Sequence, residues 1–121
     1  MPKHITKAAR AYKVEIFMAG NITLAQLFCE EYCNEVGLCV TVTPTTYVFT
    51  GGQEEGFIVG LINYARFATD NHEKDRIDIW SHAMSLADRL KTALGQGSYT
   101  VQNDKVSHFY SEREVDVGPQ S

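Results

Sequence analysis

The stretch that decides the fold is residues 38–67, LCVTVTPTTYVFTGGQEEGFIVGLINYARF. Two runs rich in β-branched and aromatic residues flank a polar, glycine-rich segment at 51–56, a pattern typical of a β-hairpin. The first arm, 38–50, contains Pro44, which cannot donate a ladder hydrogen bond and so predicts an edge position or a bulge. The second arm, 57–67, begins with six residues that are apolar on both faces, which predicts a central strand or one buried in an oligomer.

Residues preceding the hairpin predict a strand and a helix. YKVEIFM at 12–18 alternates in the manner of a strand. A helix follows, with Asn21 or Thr23 as its N-cap and Gly37 just past its end, where a left-handed conformation is easiest for glycine.

Residues following the hairpin predict a second helix and a short second hairpin. In the loop 68–73, Asp70 and Glu73 have the spacing of an N-cap and its N3 partner, and the helix runs to about Leu94. Residues 98–111 read as two short strands.

The order of these elements predicts an α+β fold, β-α-β-β-α-β(β), with an antiparallel-rich sheet and two helices on one face. We expect a single ligand-binding domain over residues 1–121, with a frayed tail at about 112–121. The other face of the sheet must meet solvent or a second subunit, and its aromatic content favours a subunit.

Composition limits the possible functions. The chain has 121 residues, is 44% hydrophobic and carries a formal net charge of −4. The negative charge argues against binding of polymeric nucleic acid, which requires a basic face. No apolar run approaches the roughly 18 residues of a membrane span, so we expect no membrane association and a cytoplasmic location.

Metal ligands and catalytic groups are not evident. Cys29 and Cys33 share a helix face, but no CxxC or HxxxH motif supplies further zinc ligands, and core packing is the favoured interpretation. No Ser-His-Asp or HExxH spacing is present. We therefore expect no catalytic residue, no metal and no cofactor.

The pentapeptide Asn63–Phe67 combines an amide, two aromatics and an arginine. In a binding site, Arg66 would contact phosphate, Tyr64 and Phe67 would stack on a base, and Asn63 would pair with a base edge. The pattern is equally compatible with a capped strand end, in which Asn63 and Arg66 pair with nearby acids.

Other residues supply similar chemistry elsewhere in the chain. Tyr47 and Phe109 are further candidates for stacking, and Thr45 places a hydroxyl on the arm paired with that of Arg66. Arg113 follows the final predicted strand and is a second candidate phosphate ligand.

Residues 21–67, including FCEEYCNEVGLCVTVTPT and the ending LINYARF, resemble the phage anti-Thoeris family of signal sponges. The resemblance implies a non-catalytic homo-oligomer, a dimer or hexamer, that sequesters a cyclic ADP-ribose isomer between subunits without cleaving it. Some members also bind cyclic di- or trinucleotides. It implies a protein that blocks TIR-based immunity in the cytoplasm of the infected bacterial host.

Two other functions remain open. One is a small enzyme that cleaves a cyclic nucleotide, which would release a new product. The other is a protein inhibitor of a host factor, which would bind a protein and no small molecule.

Overall fold

A computed structural model describes residues 8–112. It confirms the predicted α+β order, and the described part of the chain ends in a hairpin. The elements are β1 (Lys13–Ala19), α1 (Ile22–Val36), β2 (Val40–Phe49), β3 (Gly52–Ile62), a short 3-10 helix (Ala65–Phe67), α2 (His72–Leu94), β4 (Ser98–Gln102) and β5 (Ser107–Ser111). Except for Glu112, the tail predicted to be frayed lies outside the described residues, and so does Arg113.

The strands form one sheet in the order β2-β3-β1-β4-β5, and each neighbouring pair is antiparallel. The first four strands have the order of a ferredoxin-like βαββαβ fold, to which β5 adds an edge. As predicted, the apolar strand β3 is interior and Pro44 lies on an edge strand, β2.

The core lies between one face of the sheet and the two helices. Val14, Ile16 and Met18 alternate along β1 and are buried, whereas Lys13 and Glu15 point to the opposite, open face. The same alternation places Phe57, Val59 and Leu61 of β3 and Tyr99 and Val101 of β4 in the core. Both helices therefore cover one face, because an amphipathic stripe must be buried against the apolar side of a sheet.

Two boundaries differ from the sequence prediction. The first hairpin turns at Thr50 and Gly51, so most of the segment predicted as a turn already belongs to β3. At its other end β3 stops at Ile62 rather than Phe67. Ala65 has a φ of 49°, a left-handed conformation that ends the extended chain.

The helix caps are mostly as predicted. The Asn21 side chain accepts from the Leu24 amide at the start of α1, and Gly37 adopts the left-handed conformation at its end, with a φ of 73°. At the start of α2, however, the N-cap is Asn71 rather than Asp70: its Oδ1 accepts from the Lys74 amide at 3.0 Å. No helix in the described part of the chain is both long and apolar enough to cross a membrane.

Candidate functional site

The candidate site is a cavity of about 1040 Å³ at one end of the sheet. Here β1 begins, β3 ends, α2 begins and the turn between β4 and β5 closes one side. Asn63, Tyr64 and Ala65 line this cavity. The first half of the pentapeptide therefore does reach a potential ligand site.

Asn63 holds one wall of the cavity in place. Its Oδ1 accepts from the Tyr12 amide at 2.7 Å, and its Nδ2 donates to the Arg10 carbonyl at 2.7 Å. Its own backbone amide donates to the Tyr12 carbonyl at 3.1 Å. The amide that was predicted to read a base edge is instead engaged by the backbone of residues 10–12. It fixes the segment that presents Arg10 and Tyr12 to the cavity.

Tyr12 is the centre of a cluster that sequence reasoning missed. Tyr12 is buried, with 6% of the residue exposed, and the His72 ring meets its ring edge-on, with centroids 6.3 Å apart. The Arg76 guanidinium lies 5.9 Å from the ring centroid. The Tyr12 hydroxyl accepts a hydrogen bond from Asn103 at 2.8 Å. The cluster brings together the start of β1, the first turns of α2 and the β4–β5 turn.

One signal for this cluster was present in the sequence. His72 and Arg76 are four residues apart at the start of the predicted second helix, a spacing that places both on one face. Nothing local, however, connects that face to Tyr12, which is 60 or more residues away in the chain.

The cavity wall is more basic than the chain as a whole. Arg10, Lys13, Arg76 and Lys105 line it, against the carboxylates of Glu15 and Asp104. In a chain with a net charge of −4, this local excess of cations favours a ligand that carries a negative group. The two carboxylates provide contacts for a cationic group on the same ligand.

Backbone strain is also located at the cavity. Ala65 is the only non-glycine residue with a positive φ among residues 8–112, and it lies in the cavity wall. A left-handed conformation costs an alanine about 1 to 2 kcal/mol, and such residues are concentrated at functional sites.

Arg66 and Phe67 point away from the cavity. The Arg66 guanidinium donates to the carbonyls of Val36 and Gly37 at the end of α1, and it lies 4.6 Å from the centroid of the Phe67 ring. Phe67 is 5% exposed and belongs to the core. The predicted phosphate and base contacts of these two residues are therefore corrected: Arg66 caps a helix and Phe67 packs in the core. The reason is the turn at Ala65, which breaks the alternation of an extended strand.

Tyr47 and Phe109 lie at the opposite end of the sheet. With Phe17 they line a smaller cavity of about 290 Å³ on the open face. The Tyr47 hydroxyl donates to the Phe57 carbonyl at 2.8 Å, and Thr45 is half-buried opposite Gly56. The structure therefore divides the predicted site residues into separate groups, and Asn63 and Tyr64 remain with the large cavity.

Comparison with known proteins identifies a shared fold. No family model and no curated protein matches the chain. One similar solved structure is a phage SAM lyase in the apo state, with a TM-score of 0.61 and 12% identity over 92% of this chain and 98% of that chain. Another is a phage SAM lyase in complex with S-methyl-5'-thioadenosine, with a TM-score of 0.54 and 12% identity over 93% and 98%. At this identity the likeness shows the fold.

These structures change two expectations. The expectation of a protein that is not an enzyme is contradicted, because both similar structures are named as lyases. The anti-Thoeris resemblance is supported only in a coarser form, as a fold that is shared with a phage protein seen with a small nucleoside ligand.

Proposed function

We propose that this protein is a phage-encoded enzyme that cleaves a sulfonium nucleoside of the S-adenosylmethionine class, with the large cavity as its site. The observation that carries the proposal is the fold shared along nearly the whole chain with phage SAM lyase, in one case with S-methyl-5'-thioadenosine bound. The shared fold alone does not fix the function. The contents of the cavity supply the rest of the support.

The cavity suits such a ligand in size and in charge. Its volume of about 1040 Å³ is just above the usual range for small-molecule sites, about 300 to 1000 Å³. The lining includes Tyr12 and the exposed Ile62, which offer apolar surface to a nucleoside. S-adenosylmethionine carries one carboxylate and two cationic centres, and the wall holds both arginine and carboxylate side chains.

The reaction requires the bond between sulfur and the aminobutyrate carbon to break. The electron pair of that bond moves to the sulfonium, which leaves as neutral methylthioadenosine. If the substrate's own carboxylate oxygen attacks that carbon, a lactone forms and no protein base is required. If a proton is removed instead, an alkene forms, and His72 or Glu15 in the cavity wall would have to accept that proton.

The test is to incubate the purified protein with S-adenosylmethionine and to analyse the products by chromatography and mass spectrometry. We expect methylthioadenosine and a four-carbon fragment in equal amounts, and the mass of the fragment is the same for a lactone as for the open-chain alkene acid. NMR of the product distinguishes the two. Absence of turnover, together with absence of methylthioadenosine binding by calorimetry, would overturn the proposal.

A second candidate ligand is a cyclic ADP-ribose isomer, or a cyclic di- or trinucleotide. The basic excess in the cavity wall favours it, because phosphates require cationic partners. Under this candidate the protein acts in the cytoplasm of the infected host against TIR-based immunity. Native mass spectrometry with a panel of these nucleotides tests it, and finding none bound would remove it.

We also propose that the protein is a homo-oligomer, a dimer or a hexamer. The face of the sheet opposite the helices is not covered by any element of residues 8–112, and it carries Phe17, Ile58 and Phe109, the last 48% exposed. Exposed apolar surface of this kind is common at subunit interfaces. The same native mass spectra give the subunit count, and a monomer at micromolar concentration would contradict this proposal.

A further inference from the structure

The imidazole of His72 has an unusual position in the cavity wall. Its Nδ1 is buried and has no hydrogen-bond partner, and it is the only side-chain nitrogen or oxygen of this kind in the described part of the chain. The residue as a whole is half-buried, and its ring meets the Tyr12 ring edge-on. A buried polar atom left without a partner destabilises the fold by about 1 to 3 kcal/mol, so such an atom calls for an explanation.

We infer that His72 is a ligand-contacting residue of the large cavity and that its imidazole turns about the Cβ–Cγ bond when a nucleoside binds, so that Nδ1 meets a polar atom of the ligand. This inference rests on the proposed function. Binding would then recover the hydrogen bond that the unliganded chain lacks. Part of the binding free energy would then come from the hydrogen bond that His72 Nδ1 gains.

The neighbours of His72 support a polar contact at this point. The Tyr12 hydroxyl accepts from Asn103, which leaves its own proton without a described acceptor. The Arg76 guanidinium donates to Glu73 through one nitrogen at 3.1 Å and keeps further N–H groups. An adenine presents an amino donor beside ring acceptors, so the imidazole can pair with it in either tautomer.

A second histidine shows what a purely structural role looks like. His82, on the same helix, has its Nδ1 2.8 Å from the Tyr32 hydroxyl, away from the cavity lining. His82→Phe is therefore the matched control for His72→Phe. Both substitutions remove an imidazole. At position 72 its Nδ1 has no hydrogen-bond partner, whereas at position 82 its Nδ1 is hydrogen-bonded to Tyr32.

The experiment measures calorimetric binding of S-methyl-5'-thioadenosine and the melting temperature for the wild type and both variants. We expect His72→Phe to weaken binding about tenfold and to leave the melting temperature unchanged or raised, because an unpaired polar group is removed. We expect His82→Phe to lower the melting temperature and to bind as the wild type does. Affinity of His72→Phe within twofold of the wild type would overturn the inference and leave the proposed function intact.

A direct readout on the wild type covers the case in which His72→Phe does not fold. The ¹⁵N NMR resonance of His72 Nδ1 should move on saturation with S-methyl-5'-thioadenosine, while that of His82 stays in place. An unchanged His72 resonance at saturation would overturn the inference. If the wild type binds neither S-methyl-5'-thioadenosine nor S-adenosylmethionine, the proposed function itself fails and the inference fails with it.

Discussion

Two clusters in this molecule each consist of a tyrosine, a histidine and an arginine. One lies in the wall of the large cavity, and the other lies between the two helices. At the cavity, His72 meets the edge of the Tyr12 ring at 6.3 Å and Arg76 lies 5.9 Å from its centroid. Between the helices, His82 meets the Tyr32 ring at 6.0 Å and Arg89 lies 5.0 Å from its centroid. The ring geometry is similar in the two clusters, and what differs is the hydrogen bonding.

Between α1 and α2, the hydroxyl, the imidazole and the guanidinium of the cluster each have a hydrogen-bond partner. The Tyr32 hydroxyl and His82 Nδ1 share a hydrogen bond, and Arg89 donates to both carboxylate oxygens of Glu35 at 2.7 and 2.8 Å. At the cavity, His72 Nδ1 has no partner and the cluster adjoins open space. Residue type and ring geometry are therefore alike in the two clusters, and what sets the cavity cluster apart is a buried nitrogen without a partner beside open space.

The largest effect is expected at Asn63, which positions the cavity cluster. Asn63→Ala removes two side-chain hydrogen bonds to the backbone of residues 10–12, so the free energy of unfolding should fall by about 1 to 3 kcal/mol. Nucleoside affinity should fall with it, because the segment carrying Tyr12 is released. Urea denaturation and calorimetry measure the two quantities.

Asn21→Ala is the control for Asn63→Ala. It also removes a side-chain bond to backbone, but at the N-cap of α1 and outside the cavity wall, and a cap is worth about 1 kcal/mol. We expect lower stability with unchanged nucleoside affinity. If both variants bind as the wild type does, Asn63 does not shape the site.

The next effect is expected at Arg76. Arg76→Gln should weaken binding of S-adenosylhomocysteine, an unreactive thioether with the amino-acid carboxylate, about tenfold, because a charged hydrogen bond is lost. Binding of methylthioadenosine, which lacks that carboxylate, should change little. Calorimetry with both ligands separates the contributions, and Arg89→Gln in the interhelical cluster should alter neither. Equal weakening for the two ligands would assign Arg76 to the nucleoside end instead.

A smaller effect is expected at His82, and it concerns stability alone. His82→Phe leaves the Tyr32 hydroxyl without its partner, so the free energy of unfolding should fall by about 1 kcal/mol. Equilibrium urea unfolding at pH 7.5 measures it. A variant as stable as the wild type would show that the hydrogen bond between the helices is not stabilising.

The smallest effect is the pH dependence of that contribution. Burial, together with the charge of Arg66, lowers the pKa of His82 below its ordinary value of 6.5, although Asp78 opposes this. The unfolded chain then binds the proton more readily than the folded chain. Stability from neutral His82 is present above pH 6.5 and is lost as the pH falls through the lowered pKa. The wild type should therefore exceed His82→Phe in free energy of unfolding by more at pH 7.5 than at pH 5.5. The opposite trend would contradict a lowered pKa for His82.

Local sequence patterns predicted most of the fold because they depend on nearest neighbours. Each of these patterns involves residues that are only a few positions apart in the chain. Examples are the alternation in β1, the apolar stripe of α1 and the glycines that end each helix. The N-cap of α2 was placed one residue early, at Asp70, because Asp and Asn are nearly equivalent in that role.

The site was predicted only in part, and the pentapeptide 63–67 shows why. Asn63 and Tyr64 were predicted to contact a ligand; both line the cavity, and their contact with a ligand stays a prediction. Arg66 was assigned to the same site because the pattern did not reveal the left-handed residue before it. No local rule requires an alanine to adopt a φ of 49°, so only its surroundings explain it.

What the sequence by itself determined is the set of strands and long helices and their order along the chain. It left open whether Pro44 marks an edge strand or a bulge, and whether the apolar arm is central or buried in an oligomer. Only the tertiary structure decided that Tyr12, His72 and Arg76 lie together, that Arg66 caps α1, and that Tyr47 and Phe109 lie at the other end of the sheet. The physical reason is range. Helices, turns and strands follow from interactions over about four residues, whereas a site depends on contacts between residues that are 60 or more apart in the chain.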